Sequence, residues 1–316
     1  MWNKSKKYIL GSGLVALACR KILGNDWNII PLGPSRFYKE NMTWGDNYIV
    51  YDNAVVDLIK DWPFKMTPIF YNRPFSFGGQ LSYNNSFASH FLNKVGIEEN
   101  KISLDYFKTV FPVFGFNTSA AWRYLVKENI DNIKSFYSQY EKIKGIEFIK
   151  ENMIWFKTDN GFEKLEYDQI ISTIPFNALA DLSGSSSRND SISCYYYVIR
   201  SNKIDIEKAN QVLVCDDVIP FNKCTRLRDG YLIEVYGDYY EKPYEVFQPV
   251  FEQFEIVESH CIDNVIPKFV NVNYEFFDNK NIILIGSNAQ CDPLMDIGSC
   301  LKRIKNQVNK KKIMTS

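Results

Sequence analysis

Two histidines, His90 and His260, are all the imidazole that 316 residues contain. A histidine metal cluster or a histidine-based catalytic triad is therefore not the expected chemistry. The seven cysteines stand at 19, 194, 215, 224, 261, 291 and 300, with no C-x-x-C pair and no metal-ligand spacing. Thiols scattered in this way suit a reducing compartment, so a cytoplasmic location is expected and no metal is. Neither charge is in excess, with 37 Lys and Arg against 37 Asp and Glu. A chain without a basic field does not draw in nucleic acid or an anionic membrane surface. No apolar run reaches the roughly 20 residues needed to cross a bilayer. Aromatic residues, by contrast, make up 16% of the chain, enough for a large core and for stacking surfaces. With so few catalytic side chains, the chemistry is expected to come from a cofactor acting on a small molecule. Nothing in the sequence reports an oligomeric state.

The stretch Lys7 to Gly33, KYILGSGLVALACRKILGNDWNIIPLG, organises the rest. Tyr8, Ile9 and Leu10 form a short apolar run that stops at Gly11-Ser12-Gly13. Leu14, Val15, Leu17, Ala18, Ile22 and Leu23 then recur at the spacing of a buried helix face. Gly24-Asn25-Asp26 breaks the helix, and Trp27 to Leu32 is a second apolar run. This is a βαβ start carrying G-x-G-x-x-A. Gly11 permits the tight turn, Gly13 lets a pyrophosphate approach the backbone at the helix N-terminus, and Ala16 lets helix and strand pack closely. Two other readings stand beside this one. Lys4, Lys6 and Lys7 ahead of an apolar stretch ending at Cys19 also fit a secretory or lipoprotein signal. A Rossmann core that holds no nucleotide is the other. In its favour, the carboxylate expected at the end of the second strand to bind the adenosine ribose is missing. Gly33-Pro34-Ser35-Arg36 stands there. Ser35 can hydrogen-bond a ribose, and Arg36 suits a phosphate, including the 2′-phosphate of NADP.

Further along, Phe77-Gly78-Gly79-Gln80 reads either as a close approach to a ligand or as an ordinary glycine turn. Ser86 to Val95 is helical in pattern, with His90 expected to be a packed side chain. Phe111 to Gly115 reads as a turn, and Ser119 as the N-cap of a helix through Val126. A further amphipathic stretch runs to about Lys142. Ile146 to Ile149 and Met153 to Thr158 read as strands, with Asp159-Asn160-Gly161 turning the chain into Phe162 to Tyr167. Asp168 to Pro175 is a buried strand stopped by proline, so Thr173 and the Pro175 backbone are expected to border a cofactor. Leu182 to Ser187 looks like a flexible link. Ser193 to Arg200, Gln211 to Cys215 and Cys224 to Tyr236 alternate as strands of an antiparallel sheet. The tyrosines at 195–197, 236, 239 and 240 are candidates to line a pocket there. Ile282 to Ile285 is a last buried strand ending at Gly286. Asp292 and Pro293 then suit the start of a helix through Ile304. Lys310-Lys311-Lys312 is read as a frayed tail.

Four pieces in this order carry a resemblance: Gly11-Ser12-Gly13-Leu14-Val15-Ala16; the hairpin feeding Asp168 to Pro175; Ile219-Pro220-Phe221-Asn222-Lys223-Cys224-Thr225-Arg226; and Ile282 to Ile304. Together the sequence resembles the FAD-dependent superfamily of flavin amine oxidases, protoporphyrinogen oxidases and UDP-galactopyranose mutases, nearest in layout to the mutases. The resemblance implies an α/β protein, with a GR2-type Rossmann-like FAD-binding domain at 1–75, 146–182 and 275–316. An inserted mixed α/β substrate domain with an antiparallel sheet is expected at 76–145 and 183–274. It implies FAD held by Gly11, Ser12, Gly13, Leu14, Val15, Ala16, Ser35, Arg36, Thr173 and Pro175, and closed over by Gly286, Ser287, Met295, Asp296 and Ile297. Arg226, Phe77 and Tyr236 are the expected substrate contacts, and no side chain stands out as an acid or base.

The implied activity is hydride transfer from a C–N or C–C bond of a small molecule to flavin N5. Two alternatives are a mutase-like isomerase acting on a nucleotide sugar and a nucleotide-binding protein without activity. The sequence departs from the mutases where they place an arginine after the strand-ending glycine and tyrosines beyond it. Ser287, Cys291 and Pro293 occupy those places.

Overall fold

The computed structural model describes residues 6–31, 48–50, 53–62, 68–71, 73–97, 113–117, 124–131, 133–134, 145–158, 160–201, 209–227, 230–237, 241–251, 253–267, 274–286, 289 and 297–314. The chain forms two compact units, one of Met1–Thr67, Phe116–Asn189 and Asn271–Ser316, the other of Pro68–Gly115 and Asp190–Val270.

The first unit is built on the opening βαβ stretch. Strand β1 (Lys7–Leu10), helix α1 (Leu14–Leu23) and strand β2 (Trp27–Ile30) appear where the apolar runs predict them. A four-stranded parallel sheet runs in the order Ile282–Leu284, Gln169–Ser172, β1, β2. Successive side chains of a strand point to opposite faces. Ile9, Ile29 and Ile171 therefore join Ala16, Leu17 and Cys19 of α1 and Leu301 and Ile304 of the last helix. Leu10, Ile30, Ile170 and Ile282 pack on the other face against Ile149, Ile154 and Phe156. These last three belong to an antiparallel three-stranded sheet, Gly145–Lys150, Met153–Thr158 and Gly161–Glu166. A parallel sheet covered on both faces needs apolar residues at nearly every position, and these strands supply them.

The second unit holds a seven-stranded sheet. Its order is Phe254–Pro267, Ser191–Ser201, Gly230–Tyr236, Lys223–Leu227, Gln211–Val214, Phe75–Phe77, Gln80–Ser82. All neighbours are antiparallel except Gln211–Val214 and Phe75–Phe77.

Several expectations change. Residues 116–145 belong to the first unit rather than to the inserted one, because Leu125, Val126 and Ile133 bury in the core beneath α1. Val113–Asn117 is a strand, not a turn. Leu182 to Ser187 is not a flexible link. Phe176–Ser183 is helical and ends on a left-handed Gly184, whose N–H and that of Ser185 satisfy the last carbonyls. Asn189 then donates its N–H to Asn177 Oδ1 at 2.8 Å. The last helix, Ile297–Met314, takes in Lys310 to Lys312 instead of fraying before them. Asp229, Tyr239 and Tyr240 lie outside the described residues. Among the described residues no helix is long and apolar enough to cross a membrane.

Candidate functional site

The first unit brings the carboxyl ends of its parallel strands to one edge. From β1 the chain goes through α1 to β2 on one side, while Gln169–Ser172 lies on the other side of β1. That reversal is a topological switch point, where the strand ends leave a crevice open for a ligand. Gly11-Ser12-Gly13 sits there.

The two glycines of the turn do different work. Gly11 has φ of 119°, a value that suits glycine and strains other residues. Its N–H donates to the Ile30 carbonyl at 3.0 Å, and a Cβ on it would collide with Thr173 Oγ1. Thr173 itself donates both its N–H and its hydroxyl to the Leu10 carbonyl, each at 3.0 Å. Gly11 thus welds the ends of three strands. Gly13 has ordinary extended backbone, φ −73° and ψ 175°, and among the described residues no atom outside its own stretch of chain lies within 4 Å of where its Cβ would be. Among those residues the space beside Gly13 is open.

No side chain caps α1, and its first turn carries no acidic residue. The free N–H groups of a helix's first turn and the half positive charge of its dipole attract an anion. That attraction is worth about 0.3–1 kcal/mol at an exposed end and up to about 2 kcal/mol when partly buried. Ala16 is fully buried against the strands, as its place in G-x-G-x-x-A predicts. Ile285 donates its N–H to the Ser172 carbonyl at 2.9 Å, which brings Gly286 to the same edge. Gly286 has φ of 112°, and a Cβ on it would stand 4.0 Å from Val15 Cγ1. Gly11 to Ala16, Thr173 and Gly286 therefore gather around the start of α1, and Pro175 opens the helix Phe176–Ser183 two residues after Thr173. These features, an open backbone approach and an uncapped helix start, fit a dinucleotide pyrophosphate. Ser35, Arg36, Ser287, Cys291, Asp292, Pro293, Met295 and Asp296 lie outside the described residues, and Ile297 opens the last helix.

Chemistry from thiols or metals has little support in either unit. Burial pushes Cys19 and Cys194 well above the usual thiol range, Cys215 up to about 12 and Cys224 higher still. Such thiols stay protonated and unreactive. No group of three or more His, Cys, Asp or Glu that could hold a metal occurs among the described residues.

In the second unit the seven-stranded sheet has two unlike faces. Val212, Val214, Cys224, Ile233 and Val235 alternate onto one face and pack with Phe221, Phe247 and Phe251. The opposite face carries Gln211, Lys223, Thr225, Glu234 and Tyr236. Lys223 and Glu234 stand directly opposite each other in the register and form a buried ion pair at 3.0 Å. That contact is close without hydrogen-bond alignment at Glu234 Oε1. The Tyr236 hydroxyl donates to Glu234 Oε2 at 3.0 Å, and Gln211 Nε2 donates to Thr225 Oγ1 at 2.7 Å. All of these side chains except Tyr236 are buried.

Only Tyr236 of the three expected substrate residues joins this network. Arg226 points to the apolar-face side of its strand, is exposed, and pairs with Tyr231 five residues along from Tyr236. Phe77 is 41% exposed and stacks on His90 at 4.9 Å, so His90 is an exposed stacking partner rather than a packed core residue. Gly78 and Gly79, with φ of 58° and 74°, form the hairpin turn between Phe77 and Gln80 and need no ligand to explain them. Glu234 and Gln211 were not singled out as site residues, and Lys223 and Thr225 stood only within the Ile219–Arg226 piece of the resemblance. Polar residues at every second position of otherwise apolar strands were the available signal.

The fold is an α/β one, a parallel Rossmann-like sheet with mixed and antiparallel sheets, and it matches FAD-binding oxidoreductase and mutase structures. Reduced UDP-galactopyranose mutase is similar with a TM-score of 0.60 at 13% identity, over 97% of this chain and 94% of that one. The CLA-producing fatty acid isomerase from P. acnes has a TM-score of 0.60 at 11% identity, over 97% and 98%. Glycine oxidase from Bacillus cereus ATCC 14579 has a TM-score of 0.54 at 10% identity, over 98% and 96%. At such identities the likeness is one of fold. No protein-family model and no curated protein sequence matches the chain.

Proposed function

We propose that this chain is an FAD-dependent oxidoreductase acting on a small molecule. The observation that carries the reading is the open, uncapped start of α1 at Gly13, placed at the switch point of the parallel sheet. The pyrophosphate would meet the backbone N–H groups of Ser12 to Ala16. Thr173, Pro175 and Gly286 would border it, with Ser287, Met295, Asp296 and Ile297 closing the site and Ser35 and Arg36 meeting the adenosine ribose. Bound FAD would supply the two-electron chemistry, taking up the hydride of a C–H bond as a C–N or C–C single bond is oxidised. The chain's own task is to orient the substrate, and Lys223, Glu234 and Tyr236 form a preorganised polar group suited to that. Arg226 and Phe77 remain substrate contacts only in the sense the resemblance implies.

The absorption spectrum of the purified protein, with and without dithionite, tests the reading. The expected result is a flavin spectrum that bleaches on reduction, or FAD uptake by colourless protein in calorimetry. Protein that neither carries nor binds FAD overturns it and favours a fold retained without its cofactor. NADPH binding in place of FAD points to Arg36 reading a 2′-phosphate.

The likeness to reduced UDP-galactopyranose mutase supports a second reading, a flavin-dependent isomerase. Departure of UDP needs close cations or donors on its diphosphate, and Ser287 stands where the mutase pattern has arginine. Reduced protein given UDP-galactose is expected to form no furanose above background. Turnover on the order of 1 per second, an ordinary enzyme rate, would establish the isomerase instead.

A further inference from the structure

Lys94 lies on the helix Ala88–Val95, and its ammonium is taken up by three backbone carbonyls. Nζ donates to the Asp216 carbonyl at 2.5 Å, the Phe221 carbonyl at 2.8 Å and the Ile219 carbonyl at 2.9 Å. An ammonium has three N–H donors, and here each has an acceptor from the same short loop. The six-residue span from Asp216 to Phe221 is irregular chain with Val218 almost fully exposed. Its own backbone supplies one internal bond, from the Ile219 N–H to the Asp216 carbonyl at 3.3 Å. The three carbonyls converge on one point, the Lys94 ammonium.

The loop is connected to the polar face. Asp216 Oδ1 accepts the Gly78 N–H at 2.7 Å, which fixes the Phe77–Gln80 turn. At the other end the loop passes into Asn222, a buried residue. Asn222 donates its N–H to the Glu234 carbonyl at 2.9 Å, and its Oδ1 accepts the Tyr236 N–H at 2.7 Å. Lys223 follows directly. The loop is thus tied through Asn222 to the strand that carries Glu234 and Tyr236.

We infer that Lys94 is a positioning residue, a tethered internal cation whose charge holds the 216–221 loop and through Asn222 aligns Lys223, Glu234 and Tyr236. That these three orient substrate rests on the function proposed above; the carbonyl cup and its occupant do not. Burial pulls the Lys94 ammonium down to about 8, while the carboxylates of Asp217 and Asp216 pull it back up. The tests belong at about pH 7 or below, on the protonated side of that value.

Hydrogen exchange at the Ile219, Asn222 and Tyr236 amides reads the loop without cofactor or substrate, so protein that fails to bind FAD still tests the clamp. Lys94→Met keeps the volume of the arm and removes the charge. It is expected to speed exchange at these amides by about tenfold or more, while Ile9 and Ile171 in the parallel sheet keep their protection. Lys94→Ala should behave alike, and n-propylammonium chloride should restore much of its protection where n-propanol restores none. Rescue by propanol as good as by propylammonium, or wild-type exchange in Lys94→Met, overturns the inference. Should Lys94→Ala fail to fold, Lys94→Met against the wild type decides alone. Acceleration at every amide, parallel sheet included, would make Lys94 a general stabiliser and likewise overturn it.

Discussion

The parallel sheet of the first unit and the seven-stranded sheet of the second keep their polar groups in different places. In the first, Asn28 aside, the buried side chains are apolar on both faces until Ser172 ends its strand. What it offers a ligand is at its edge, in backbone N–H groups and in the dipole of α1. In the second, one face is apolar and filled with phenylalanine, and the other holds the Lys223–Glu234 ion pair with the Tyr236 hydroxyl on it and, besides, the Gln211–Thr225 pair. The difference follows from what each covered face contains. The parallel strands bury apolar side chains on both faces and leave polar groups to the strand ends. The polar face of the second sheet is buried as well, so its side chains find their partners within it.

Breaking the ion pair should have the largest effect. Lys223→Met leaves Glu234 buried beside a neutral neighbour and is expected to lower stability by about 3–5 kcal/mol, while Lys223→Met with Glu234→Met recovers most of the loss. Urea unfolding of the two single variants and the double checks this. A double variant no more stable than the singles would show that the pair is not one unit. The edge of the parallel sheet should respond next. Gly11→Ala puts a side chain at φ of 119° against Thr173 Oγ1, and a loss of about 3 kcal/mol is expected from strain at such a position. Its melting temperature and its flavin content should fall together.

Gly13→Val sharpens the contrast within one motif. The backbone there is extended and the space around it empty, so stability should change by less than about 0.5 kcal/mol. FAD affinity should nevertheless fall by about a hundredfold, the equivalent of roughly 2.7 kcal/mol, because the side chain fills the approach to the helix start. A variant that melts like the wild type and binds FAD equally well would make the turn structural only.

Much of the first unit was legible because its determinants are local. Gly11, Gly13 and Ala16 are read from the backbone angles and close approaches a βαβ turn requires. The hairpin between Met153–Thr158 and Gly161–Glu166 is read from its turn residues, and the strands of the second unit from alternation. Residues 124–134 were assigned to the wrong unit for the opposite reason. An amphipathic helix declares which face is apolar, not which core it will cover. His90 was expected to be packed because a lone histidine on a helix does not reveal where Phe77 will come to rest.

The sequence by itself determined the opening strand–helix–strand stretch, the glycine turn at the start of α1, the hairpin of 153–166, and the absence of charge excess. These depend on neighbours within a few residues or on composition alone. Only the tertiary structure decided that Thr173 closes against Gly11, that Lys223 meets Glu234, and that Lys94 ends among three carbonyls of a loop more than 120 residues away. Such contacts are set by strand register and by the packing of helix on loop. A register shift of one residue would turn Lys223 to the phenylalanine-filled face; alternation opposes that shift but does not say which residue of the neighbouring strand Lys223 meets.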